Sequence, residues 1–142
     1  MKLRPAQESD LPALARLMSE LSGENMTIEA MRNRLDFITH SLFDSIYVCE
    51  DDERVVGTFA FRIRENIESV SRYGEISAII VEPAERNRGI GRRLMELAET
   101  LAREYGCIGT WLVSGFGREE EAHQFYRNLG YETTGYRFRK PS

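Results

Sequence analysis

The run Arg86-Asn87-Arg88-Gly89-Ile90-Gly91-Arg92 carries the clearest chemical signal of the 142-residue chain. It lies between an isoleucine-rich segment that reads as a strand and a long segment with helical apolar spacing. Two glycines let a backbone turn sharply and come close to a ligand. The first turn of the helix that follows presents N–H groups without intrahelical acceptors and a partial positive charge. Three arginines stand around it. Such a junction is suited to a diphosphate, held mainly by main-chain nitrogens. Two better-known phosphate motifs do not fit. The dinucleotide fingerprint G-x-G-x-x-G requires a third glycine where this chain has Leu94, and the phosphate loop that ends G-K-[ST] has no counterpart.

The elements that must position this loop follow from the apolar spacing. Residues 2–4 form a short opening strand. Ser9-Asp10 precedes a helix with Pro12 in its first turn and Leu11, Leu14, Leu17, Met18 and Leu21 at helical spacing, ended by Gly23. Thr27 caps a second helix with Ile28, Met31, Leu35 and Ile38 on one face. Residues 45–50 and 54–64 read as a hairpin around Asp51-Asp52-Glu53, with Gly57 marking a bulge or a close approach. Residues 75–81 form a third strand, closed by Pro83. A long helix over 89–105 has the stripe Ile90, Leu94, Leu97, Ala98 and Leu101, with Gly106 as its cap. Residues 107–113 read as a strand, 119–129 as a shorter helix, and 131–140 as an extended tail. Strand, helix, strand at the centre implies a parallel pair with a right-handed crossover, and the meander before it implies antiparallel strands. The expected fold is α/β: a mixed, mostly antiparallel sheet of about six to seven strands with a central parallel pair, flanked by about four helices.

The run from Ile79, Ile80 and Val81 through Glu82-Pro83-Ala84-Glu85 to the glycine loop resembles the central motif of the GNAT superfamily of N-acetyltransferases. There a strand ending in a V-x-P-like sequence leads to R/Q-x-x-G-x-G/A. Ala122-His123-Gln124-Phe125-Tyr126-Arg127-Asn128-Leu129-Gly130-Tyr131 is similar to that family's A-x-x-F-Y-x-x-x-G-F/Y. The element order agrees from end to end. The resemblance implies acetyl-CoA as donor, with its pantetheine arm paired to the backbone of Ile79, Ile80 and Val81 like an added strand. Its pyrophosphate would lie on the amides of residues 87–92, beside Arg86, Asn87, Arg88, Gly89, Ile90, Gly91 and Arg92. One position departs from the pattern. Many members carry Asn three residues before the alanine, and this chain has Glu119.

The reaction that the resemblance implies is direct transfer of acetyl from thioester to amine, with no covalent enzyme intermediate. An alkyl amine with a pKa of about 10.4 must lose a proton first, at a cost of about 4–5 kcal/mol at neutral pH. Glu75, fourteen residues before Gly89 on the central strand, has a register that resembles the strand glutamate serving as base in histone-type members. Tyr73, Glu65 and His123 are lesser candidates. Tyr126 matches the family tyrosine that approaches the departing sulfur. Full proton transfer from a phenol of pKa about 10 to a thiolate of pKa about 8.5 is uphill by about 2 kcal/mol, so a hydrogen bond is the expected role. A backbone N–H among residues 79–81 is expected to meet the acyl oxygen.

Acceptor choice is expected in residues 21–27, 65–73 and the tail from 132. Gly74-Glu75-Ile76, the Ala122–Tyr131 motif, Arg137-Phe138 and Lys140 are similar to aminoalkylphosphonate N-acetyltransferases. That similarity implies a small amine bearing an anion, which Arg137 or Arg139 would meet. A protein or peptide N-acetyltransferase and a non-catalytic acyl-CoA sensor are the alternatives. The sensor reading keeps the loop and dispenses with Glu75 and Tyr126.

Composition bounds the rest. The chain is 42% hydrophobic and 30% charged, with a net charge of −4 and the two signs mixed; a nucleic-acid binder would show a basic stripe. No stretch approaches the roughly 20 apolar residues of a membrane span. Met1-Lys2-Leu3-Arg4-Pro5 has no apolar run to serve as a signal peptide. Cys49 and Cys107, without a C-x-x-C, read as core residues of a reducing compartment, so the cytoplasm is the expected location. No ligand cluster suggests a metal. The length suits one domain over 1–142. The expected partner is a small-molecule amine, with no nucleic acid and no membrane, and homodimers are common among the family it resembles.

Overall fold

Residues 1–114 and 119–142 are described by the structure, a computed structural model. They fall into two compact units, residues 1–111 and 112–142, each considered by itself below.

The first unit is built on a sheet. Strand β1 (Lys2–Pro5) is followed by helices α1 (Leu11–Ser22) and α2 (Ile28–Thr39). Strands β2 (Asp44–Asp51), β3 (Arg54–Glu65) and β4 (Arg72–Val81) come next, then helix α3 (Ile90–Glu104) and strand β5 (Thr110–Leu112). The spatial order is β1-β2-β3-β4-β5, antiparallel through the first three pairings and parallel between β4 and β5. Glycine and threonine punctuate the helices as their chemistry dictates. Thr27 Oγ1 accepts the Ala30 amide at 3.0 Å, and Gly23 closes α1 with φ of 76°.

Two layers cover the sheet. On one face Leu11, Leu14, Ala15 and Leu17 of α1 and Met31 and Leu35 of α2 pack on Ile46, Val48, Val55 and Ile80. On the other lies α3, whose Ile90, Leu94, Met95 and Ala98 are buried to 1% exposure or less. Gly57 makes that second layer possible. A Cβ there would stand 3.2 Å from Leu94 Cδ1 and 3.3 Å from Ile90 Cγ2, so its absence lets α3 settle directly on β3.

One buried polar contact ties the start of the chain down. Arg4 Nη1 and Nη2 each donate to the Asp10 carboxylate at 2.8 Å, and Arg4 Nη2 also reaches Glu50 at 3.1 Å. Asp10 further accepts the Gln7 amide at 2.8 Å. Burial alone would push the Asp10 carboxyl up, but Arg4 and the Gln7 amide together hold it below the usual carboxylate range.

The sheet has five strands among the described residues, fewer than the six to seven expected. The tail accounts for the difference, and one of the five strands is shorter than expected. The segment read as a strand from Cys107 begins only at Thr110, because its first amides close α3. Cys107 N donates to Ala102 O at 2.8 Å and Gly106 N to Arg103 O at 3.1 Å, the paired bonds of a Schellman ending. The tail after Tyr131 has strand-like alternation but joins no ladder. Its Tyr136 and Phe138 are 90% and 93% exposed, and alternation without a pairing partner does not make a strand. The second unit contains helix α4 (Glu119–Asn128) and this tail. Among the described residues no helix is long and apolar enough to cross a membrane.

Candidate functional site

Strand β4 hands over to α3 through a 3₁₀ turn, Pro83–Glu85. Asn87 and Gly89 then take left-handed backbone conformations, with φ of 66° and 79°. Alternation of left- and right-handed residues turns successive N–H groups toward one concavity. The first intrahelical bond of α3 runs from Arg93 N to Gly89 O at 3.1 Å, and no side chain caps the helix. The amides of Ile90, Gly91 and Arg92 therefore open α3 without intrahelical acceptors, next to the positive end of a 15-residue helix. Residues 86–89 are exposed, and a Cβ on Gly89 would meet nothing within 4 Å. An open, donor-lined cradle of this kind fits a diphosphate. Ile90 anchors it from beneath, since its side chain is 1% exposed in the core.

The arginines contribute unequally. Arg88 is tied to Asp51 at 2.9 Å and to Glu85, and the Asp51 contact, then Glu85, holds its proton more firmly than usual. Arg86 turns back to donate from Nε to Val81 O at 3.3 Å. Arg92 is exposed on the first turn of α3. Two of the arginine side chains thus brace the loop, and the main-chain amides of Ile90, Gly91 and Arg92 are its open donors.

Upstream, β4 carries a β-bulge. Ala60 pairs with Ala78 while the next residue, Phe61, pairs with Ile76, which leaves Ser77 as the extra residue. A bulge bends its strand and re-aims the residues beyond it. Strand β5 approaches the opposite edge of β4 near its beginning, where Ile108 N donates to Arg72 O at 2.8 Å and Gly74 N to Gly109 O at 3.0 Å. A three-residue strand starting there is too short to follow a ten-residue one to its end. The outer edge of Ile79, Ile80 and Val81 is left beyond the reach of β5, a place where an extended ligand arm can add to the sheet.

Glu75 lies before the bulge, on the face opposite α3. It pairs across the sheet with Arg62, and Tyr73 with Arg64, so all four share that face. The Glu75 side chain is 14% exposed and accepts a hydrogen bond from Arg64 Nε at 3.0 Å. Arg64 also lies over the Trp111 ring, 6.0 Å from its centroid. Arg62 donates to Asp44 at 2.7 Å. Glu65 is on the other face, in an ion pair with Arg72, so the structure does not bring it to Glu75. Sequence reasoning missed Arg64 and Trp111. The period-two pair Arg62-x-Arg64 is the available signal, but the bulge hides which β4 residues share its face.

In the second unit, Tyr126 sits on α4 with Phe125 at 5.2 Å and Tyr131 at 6.3 Å, both edge-on. Its carbonyl accepts the Leu129 amide at 3.1 Å and the Tyr131 amide at 3.0 Å, which closes the helix at Gly130. His123 is half-buried one turn earlier; Arg137 and Arg139 are exposed in the tail. The Glu119 side chain lies outside the described residues. Burial raises the Cys49 thiol, and likewise the Cys107 thiol, so both are held in the unreactive protonated form.

An uncapped, glycine-entered helix at the end of a bulged strand with an open edge is an arrangement of an α/β fold suited to a diphosphate-bearing ligand with an extended arm. The chain belongs to the acetyltransferase (GNAT) family, whose model matches residues 11–131, and it is an acetyltransferase that uses acetyl-CoA. It is 28% identical over 141 residues to an aminoalkylphosphonate N-acetyltransferase of Salmonella typhimurium, covering 98% of this chain and 90% of that one. It is 30% identical over 140 residues to a glucosamine 6-phosphate N-acetyltransferase of Trypanosoma brucei brucei, covering 92% and 88%. The fold matches that of an aminoglycoside N-acetyltransferase in complex with CoA, with a TM-score of 0.86 at 17% identity over 99% of this chain and 93% of that one.

Proposed function

We propose that the chain acetylates the primary amine of a small molecule, with Glu75 as proton acceptor and Tyr126 as hydrogen-bond donor to the leaving sulfur. The observation that carries the reading is the junction at Gly89, where the open β4 edge runs into the uncapped start of α3. Bound acetyl-CoA supplies an acetyl group activated as a thioester. The chain's own residues do the rest. The amides of residues 87–92 hold the diphosphate, and the backbone of Ile79, Ile80 and Val81 orients the arm. An N–H of that same stretch donates to the acyl oxygen, fixed in place before the reaction. Glu75, on the face opposite α3, accepts the proton of the approaching ammonium, directly or through water. The assignment of Tyr126 follows its place in the family motif on α4. A small-molecule acceptor is supported by the names of the two relatives cited above, each of which names an acceptor that carries an amine together with a phosphonate or phosphate.

The test is titration with acetyl-CoA followed by thiol release over a panel of amines, amino sugars and peptides. Saturable binding with release on small amines is the expected result. Binding without release on any acceptor would identify a sensor, and release on peptides alone would identify a protein acetyltransferase.

A further inference from the structure

On the face of the sheet that carries Glu75, two arginines project two residues apart along β3, and their situations differ. Arg62 is committed: its Nη1 donates to Asp44 at 2.7 Å, and Asp44, 10% exposed, is fixed in turn by Ser41 Oγ at 2.7 Å. Arg64 is committed on one side only. Nε donates to Glu75 at 3.0 Å, the Trp111 ring lies 6.0 Å below the guanidinium carbon, and the side chain is 50% exposed. Its two Nη atoms hydrogen-bond to nothing among the described residues. A guanidinium is a planar fork whose Nη edge matches two oxygens of a carboxylate, phosphate or phosphonate. The ring and the Glu75 contact restrict that plane and lower the entropy lost when an anion docks.

Glu75 and Arg64 form, in addition, a charge pair of a particular shape. A carboxylate that accepts a proton from an ammonium sits one hydrogen bond away from a cation with an open donor edge. An acceptor bearing an ammonium at one end and an oxyanion at the other is the mirror image of this pair. Such an acceptor replaces each charge's solvent by its complement and leaves neither unpaired. A simple alkylammonium with no oxyanion satisfies Glu75 alone.

We propose that Arg64 is the residue that selects the acceptor, its Nη edge holding the oxyanion of a small amine whose nitrogen faces Glu75. The oxyanion is a phosphonate, phosphate or carboxylate separated from the amine by a short alkyl or sugar frame. This deepens the function proposed above and rests on it for the orientation of the amine. It places the anion site on β3 rather than on Arg137 or Arg139 of the tail.

The experiment uses the full chain loaded with CoA, and R64A and R64K, with aminomethylphosphonate as probe and ethylamine as its counterpart without the oxyanion. Titration is expected to show aminomethylphosphonate binding weakened about tenfold to a hundredfold in R64A, with partial recovery in R64K, which keeps the charge and loses the fork. Unchanged affinity in R64A overturns the proposal, as does the absence of aminomethylphosphonate binding by a wild-type chain that binds CoA. In turnover, the ratio of kcat/KM for aminomethylphosphonate to that for ethylamine is expected to fall at least about tenfold in R64A. An equal fall for both amines, the result of a role exerted only through Glu75, refutes it. Phosphonate binding that depends on Arg64 without thiol release would leave the inference standing and sink the acetyl transfer proposed for Glu75.

Discussion

Replacing Gly89 by aspartate is expected to separate binding of the coenzyme from folding, because the proposed site and the fold draw on different properties of that position. The backbone there has φ of 79° and a Cβ would meet nothing within 4 Å. The folding cost is therefore conformational rather than steric, about 1 kcal/mol for a left-handed non-glycine residue. Aspartate tolerates this region better than most residues, and a negative charge at a helix start returns about 0.3–1 kcal/mol. The net effect on stability should stay within about 1 kcal/mol, a shift in Tm of only about 2–6 °C. The same carboxylate faces the anion that the open amides of α3 are set to receive. Two unit charges about 4 Å apart repel by about 1 kcal/mol in water and about 4 kcal/mol at an effective dielectric of 20. A diphosphate against an exposed loop falls between these, so a loss of about 2 kcal/mol, or about thirtyfold in Kd, is the minimum expected. G89A is the control, since it carries a left-handed non-glycine residue, at somewhat greater backbone strain than aspartate, without the charge. Isothermal titration with CoA and thermal melts of the three proteins form the assay. The reasoning is refuted if G89D binds CoA as well as G89A does, or if it loses folding and binding in the same proportion.

Glu75→Gln is expected to lower kcat/KM about a hundredfold at pH 7. The deficit should shrink as pH rises toward the amine's own pKa, because the acceptor then arrives deprotonated; a pH-rate profile parallel to wild type would remove Glu75 as proton acceptor. Tyr126→Phe should reduce turnover about tenfold or more with CoA affinity unchanged by titration, and an unaltered rate would take Tyr126 out of the mechanism. Asp10→Asn removes one partner of a largely buried ion pair and should cost about 3 kcal/mol. The folded Asp10 carboxyl is held low, so its contribution is whole above about pH 4 and is lost as pH falls through the folded value. Acid unfolding curves of the two proteins should converge at low pH, and a gap that persists there would contradict this assignment.

Features decided within a few residues are legible in the amino-acid sequence. The Thr27 cap, the glycine endings of α1 and α3, and the open start of α3 behind Gly89 each depend on neighbouring dihedrals and on local donors and acceptors. The backbone geometry proposed to cradle a diphosphate belongs to this class, which is why a short run of residues carries it. Long-range pairing is legible only in outline. The apolar stripe of α3 announces a face to bury, but only the close approach at Gly57 shows how directly that face meets the sheet.

What the residues alone determined was the order of the elements and the uncapped, glycine-entered start of α3. What the tertiary structure decided was parity: whether a strand residue faces α3 or the opposite side. One extra residue at Ser77 shifts the register between β3 and β4, and a one-residue shift exchanges the faces of every side chain beyond it. That shift, invisible in composition or spacing, sets Arg64 beside Glu75, sends Glu65 to the other side, and so determines which charges share that face. The number of strands was settled in the same way. Alternation in the tail describes a strand's side chains, and a strand exists only where a neighbouring backbone completes its hydrogen bonds.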